Sequence, residues 1–147
     1  MKQSILFVLL AACVCTIIAC SKENNKMTNN SHSLVGGWEL RAEGGGWGPY
    51  QAFPAGNGYI VKFTEDAYET DSVGKVIKSG TYRIIKDDPL VVSGTNSRII
   101  YDNDSNDLRS YIALSGDTLS FMLDAYDVGS ATYIRIGNDP GTILSSK

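Results

Sequence analysis

Asp102-Asn103-Asp104-Ser105-Asn106-Asp107 places oxygen-bearing side chains at the spacing with which a loop wraps calcium. Such a loop needs glycine at its sixth place, for the sharp turn, and a bidentate glutamate at its twelfth. Here those places hold Asp107 and Ala113. The stretch is therefore read as a solvated acidic turn, and no metal site is expected. Acid–base and nucleophilic chemistry have no better footing. The chain has a single histidine, His32, set in a polar stretch where a solvated side chain is the ordinary outcome. There is no Ser-His-Asp set, no histidine cluster and no carboxylate pair that can be placed together. Catalytic residues, an enzymatic activity and a cofactor are not expected. "GGGWG" (Gly44 to Gly48) matches neither a dinucleotide fingerprint nor a lysine-bearing phosphate cradle.

Binding chemistry is better supplied. "EGGGWGPYQAFPAGNGY", Glu43 to Tyr59, holds six glycines and two prolines, yet it also carries Trp47, Tyr50 and Phe53. Disordered segments are poor in aromatic rings, and structureless loops beyond about 12–15 residues are usually functional or disordered. The rings give this segment something to pack with, and the glycines let it turn. Two readings stand side by side: residues 44–56 form a lid over a binding site, or their rings plug the fold and complete its core. Tyr82, Arg83, Tyr111 and Tyr133 are polar groups that could face inward. Inward tyrosines with one arginine would suit an anionic amphiphile. The candidate ligand-binding residues are thus Trp47, Tyr50, Phe53, Tyr82, Arg83 and Tyr111.

The elements that would position these residues are strands. "LVGGWELRA" alternates, with Leu34, Gly36, Trp38 and Leu40 on one face. "GYIVKFTE" groups Tyr59, Val61 and Phe63. "DAYETDS" and "VIKSGTYRII" follow across tight turns, the latter with Gly80, Tyr82 and Ile84 opposite Thr81, Arg83 and Ile85. Pro89 breaks the run because it cannot donate to a ladder. "LVVSG" and "SRIIY" read as short strands or one bent strand. "LRSYIAL", "LSFML" and "ATYIRIG" complete the series. No segment shows a sustained helical period with caps. About eight or nine short strands at hairpin spacing predict an all-β fold that hides its edges, as a barrel or a sandwich.

The ends are of another kind. After Lys2, residues 5–19 run without charge for about 15 residues, too short for a spanning helix of about 20. A positive start, a short apolar run and a small residue describe an export signal that is removed. "TIIAC", Thr16 to Cys20, resembles the lipobox of bacterial lipoproteins. That resemblance implies cleavage before Cys20, acyl chains on Cys20 (palmitate among them), and a membrane anchor. Ser21 beside it implies, by the same likeness, transfer to the outer membrane, on its periplasmic face or at the cell surface. Residues 20–33 read as lipidated cysteine and flexible tether, 34–137 as the domain, and 138–147 as a tail.

Cys13, Cys15 and Cys20 all lie at or before the expected cut, so the domain has no thiol for a disulfide or a metal. Its core must hold it. Losing Lys2 takes Lys+Arg from 13 to 12 against 16 Asp+Glu, a net charge of −4. That mild acidity, with no basic run, argues against nucleic acid as a partner.

Two residues at opposite ends of the domain carry a second resemblance. Gly36-Gly37-Trp38 on the first strand is similar to the Gly-x-Trp of lipocalins, and Arg135 on the last strand to their late basic residue. Likeness to lipocalins over Leu34 to Gly137 implies an eight-stranded up-and-down antiparallel barrel, closed at one end by Gly36, Trp38 and Arg135. It implies a binding protein, monomeric, holding a small apolar or amphiphilic ligand behind a long first loop. The alternative is a filled barrel whose loops, Trp47 and Tyr50 included, dock a protein or glycan.

Overall fold

The computed structural model describes residues 33–46 and 48–138. Cys20, the leader, the tether up to His32, Trp47 and the tail from residue 139 lie outside them. Nine strands run through the described residues: β1 (Gly36–Gly45), β2 (Gly48–Ala52), β3 (Tyr59–Phe63), β4 (Ala67–Ser72), β5 (Lys75–Lys86), β6 (Ser97–Tyr101), β7 (Ser110–Ser115), β8 (Thr118–Leu123) and β9 (Gly129–Gly137). All pair antiparallel in one sheet. Eight of them close it: β1 pairs with β3 on one edge and β9 on the other, and the rest follow chain order. The fold is the closed eight-stranded up-and-down barrel that the likeness to lipocalins implies, where the alternation by itself allowed a barrel or a sandwich.

The ninth strand departs from expectation. Residues 44–56 are not one long loop. β1 outruns β3, and its second half pairs with β2 through Ala42–Ala52 and Glu43–Gln51. Gly45 and Gly46, at φ 108° and 63°, make the turn into β2. Glycine takes that region at no steric cost. Only residues 53–58 remain as a loop, tied down by Glu39. The Glu39 carboxylate accepts from the backbone N–H of Gly56 and Gly58. Asn57 Nδ2 donates to the Leu40 carbonyl at 2.7 Å.

Alternation sends Trp38, Val61, Phe63, Tyr68, Ile99, Ile112 and Leu119 into the barrel, where with Leu34 they form the core. Each such side chain contributes about 1.5–3 kcal/mol on burial. That is the main support of a domain without cysteine.

Leu90–Gly94 forms no strand. Asp87–Thr95 runs back along the outside of β6–β8 as a strap. Its backbone donors find a side chain instead of a neighbouring strand. The Asp124 carboxylate accepts from the N–H of Leu90, Val91 and Val92 at 2.8–3.2 Å. Burial pushes the Asp124 carboxyl up, but those three donors and Arg109 outweigh it and hold the group below its ordinary value. Asp87 is held low as well, by Arg98 and then Arg109.

Candidate functional site

The barrel has one sealed end. β1 and β9 are in register at Trp38 and Arg135, and the Arg135 guanidinium lies 4.0 Å from the Trp38 ring centroid. That stacking is worth about 0.5–2 kcal/mol. The same guanidinium donates to the carbonyls of Val35 and Ser33, while Trp38 Nε1 donates to the Leu34 carbonyl at 2.8 Å. Arg135 Nε approaches Asp117 at 3.3 Å, an ion contact without hydrogen-bond geometry. Gly36, at φ 135°, leaves the room this needs. A Cβ there would meet the Gly137 carbonyl oxygen at 2.5 Å and Arg135 Nη1 at 2.9 Å. These residues do architectural work only.

Deeper in the barrel stands a set of rings. Phe63 packs edge-on against Tyr82 at 5.0 Å and stacks with Phe121 at 6.4 Å. Phe121 meets Tyr133 at 5.4 Å, and Tyr68 meets Tyr101 at 4.6 Å. Tyr82, Tyr101, Phe121 and Tyr133 remain partly accessible although they pack on the core. Two phenols are spent on the protein: Tyr82 donates to the Thr64 carbonyl and Tyr68 to Asp102. The phenol oxygens of Tyr101 and Tyr133 have no protein partner among the described residues. Burial, and then the neighbouring phenols of Tyr133, Tyr68 and Tyr82, push Tyr101 far above its ordinary range. Burial, and then Glu43, raise Tyr133. Burial raises Tyr82 too, so the phenols of Tyr82, Tyr101 and Tyr133 keep their protons at physiological pH. They are hydrogen-bonding groups in an apolar cup, not bases.

The sequence-predicted binding residues divide. Tyr82 faces inward. Arg83 does not: one residue on in the strand, it faces outward and is exposed. Tyr111 also faces outward, because its neighbour Ile112 takes the core position. It is fully buried nonetheless, under the strap, where the Arg109 guanidinium lies 5.5 Å over its ring and donates to its hydroxyl. Tyr50, on β2, is 74% exposed. It is no plug. Phe53 packs edge-on against Tyr59 at 5.9 Å, at the foot of the β1–β2 hairpin. Trp47 and Cys20 lie outside the described residues. The hairpin tip rests on the β8–β9 connection, at the end opposite Trp38: a Cβ at Gly46 would meet the Asp127 carbonyl oxygen at 2.2 Å.

Three contributors escaped the sequence reading: Tyr68, Tyr101 and Lys78. Lys78 stands opposite Thr70, two positions before Gly80, and so shares the inward parity of Gly80 and Tyr82. Its Nζ lies 5.7 Å from the Tyr68 ring and 5.6 Å from the Tyr101 ring. Extending the alternation back from Tyr82 would have found it. No group of acids, histidines or cysteines among the described residues is arranged to hold a metal.

Fold and site together describe a closed antiparallel β-barrel with one end sealed and an aromatic interior, compatible with a lipocalin-like fold. No protein-family model matches the chain, and searches of curated proteins and of solved structures return no significant match.

Proposed function

We propose that this chain is a lipid-anchored, lipocalin-like binding protein of the cell envelope, most simply of the outer membrane. It holds a small apolar or amphiphilic ligand within the barrel and performs no catalysis. Acyl chains on Cys20 attach it, each buried CH₂ contributing about 0.8 kcal/mol. The β1–β2 hairpin with its return, residues 44–56, gates access at the open end. One observation carries this reading: the axis-facing rings of Tyr101, Phe121 and Tyr133 stay accessible, and two of their hydroxyls are free to meet a ligand. Few polar groups set in an apolar, concave wall is how small-molecule sites are built.

Native mass spectrometry of the protein extracted from its own membrane tests it. The expected result is a mass increment of acyl groups on Cys20 plus a dissociable small molecule. Bare protein that also takes up no apolar dye would overturn the ligand reading. Exposed Tyr50 and a wholly exposed β2 favour a second reading, in which the barrel is filled and this hairpin docks a protein or glycan. Tyr50→Ala would then abolish partner capture and leave dye uptake unaffected.

A further inference from the structure

Building on the ligand-binding reading above, we infer that the molecule held in the barrel carries one acidic head group, bound at the open end by Lys78 with the phenol oxygens of Tyr101 and Tyr133. Its apolar body lies against the partly accessible ring of Phe121.

The argument begins with where cations sit. Four stand on axis-facing positions: Arg135, Lys86, Lys78 and, at the exposed start of β5 beside the turn, Lys75 opposite Ser72. Arg135 is spent on the Trp38 ring and on the carbonyls of Ser33 and Val35. Lys86, at the far end of the same strand as Lys78, donates to Asn96 Oδ1 and Ser97 Oγ at 3.0 and 2.9 Å. Among the outward cations Arg41 pairs with Glu39, Lys62 with Glu69 and Asp71, and Arg98 and Arg109 with Asp87, while Arg83 is exposed on the outer face, away from the interior. Lys78 has no carboxylate and no hydrogen-bond acceptor among the described residues. It rests over two ring faces, which neutralise none of its charge and satisfy none of its three donors.

The acid touching that ring pair is already occupied. Asp102 accepts from the Thr81 N–H at 2.9 Å and from the Tyr68 hydroxyl at 3.2 Å. Gly80 admits it, since a Cβ there would lie 2.0 Å from Asp102 Oδ1. What remains is the Lys78 ammonium, 5.6 Å from the Tyr101 ring, with the unpartnered phenols of Tyr101 and Tyr133 on axis-facing positions of the same barrel. That set complements a carboxylate or similar anion, and it leaves an alcohol half-satisfied and a cation repelled.

Calorimetric titration of the purified full chain with decanoate, decan-1-ol and decyltrimethylammonium tests the inference, the tail being held constant. Decanoate should bind at least about tenfold more tightly than the alcohol, as one charge-assisted hydrogen bond allows. Lys78→Gln should erase that preference while alcohol binding persists, and Tyr101→Phe should reduce it. Arg83→Gln, which removes an equal charge from the outward, exposed face of the same strand, should leave it intact. Equal affinity for all three probes would overturn the acidic head group and leave the ligand-binding reading standing. Binding of none would overturn both.

Discussion

Asp124 shows at the residue scale how much can depend on one side chain. Its carboxylate is the acceptor for three consecutive backbone donors of the strap, and Arg109 lies 3.4 Å away. Because its folded-state pKa is depressed, as is that of Asp87, the stability it supplies is fully present above the ordinary carboxyl value of 3.8 and is lost as pH falls through the lower folded values. Melting followed by circular dichroism should therefore fall steeply below about pH 4. Asp124→Asn should lower the melting temperature at pH 7, because the amide satisfies the three donors less well, and should flatten that acid slope. An unchanged slope would show that the strap is not held by this charge. Nothing local in the sequence announces the residue. Its backbone donors lie 32 to 34 positions away, and only the folded barrel brings them together. Tyr82 and Arg83 differ in this respect. Adjacent in a strand, they must face opposite ways, and only the choice of which faced inward awaited the fold. Tyr111 illustrates the converse. Burial is not inwardness when a loop covers the outer face.

The element scale is where alternation was most informative, and where turns decided the exceptions. Eight barrel strands follow from apolar residues repeating every second position between glycine-rich turns. β2 was missed because Gly48-Pro49-Tyr50-Gln51-Ala52 is exposed along its whole length and so shows no burial pattern to read. Leu90–Gly94 was over-read because apolar composition alone does not distinguish a strand from a covering strap. The β4–β5 turn carries a local conflict. Val73 and Gly74 both have positive φ, 52° and 80°. A two-residue turn of that kind favours asparagine followed by glycine, and a β-branched residue is strained there. Val73→Asn should stabilise the protein by about 0.5–1 kcal/mol, relieving part of the roughly 1–2 kcal/mol cost of the left-handed region. In a domain of this size that is a rise of a few degrees in melting temperature. A fall instead would mean that the exposed valine makes a contact worth more than its strain.

For the whole molecule, closure matters more than any single strand. β1 and β9, from opposite ends of the chain, share a ladder from Gly37–Gly137 to Gly45–Gly129, so neither end strand is left as a bare edge on the barrel. The Gly-x-Trp and late arginine were legible because closure places them side by side whatever lies between. The aromatic cup was less legible, since its rings come from six strands and meet only in three dimensions. The ends of the domain also meet: the Cβ position of Gly36 lies 3.4 Å from the Asn138 Cα. A circular permutant that joins residues 33 and 138 through a short glycine-serine linker, and opens the chain between Asp104 and Asn106, should fold to the same strand content with a cooperative melt. Loss of that cooperativity would show that barrel closure depends on free ends.

Because the Arg135 guanidinium grips the carbonyls of Ser33 and Val35, the polypeptide leaves this vessel through its floor. If Cys20 is moored in lipid, the dozen residues between reach about 40 Å at full stretch, and they join the barrel on its sealed side, leaving the brim free to turn away from the bilayer. Cargo would then be exchanged with whatever faces that brim across the aqueous gap, rather than drawn up from the leaflet underneath.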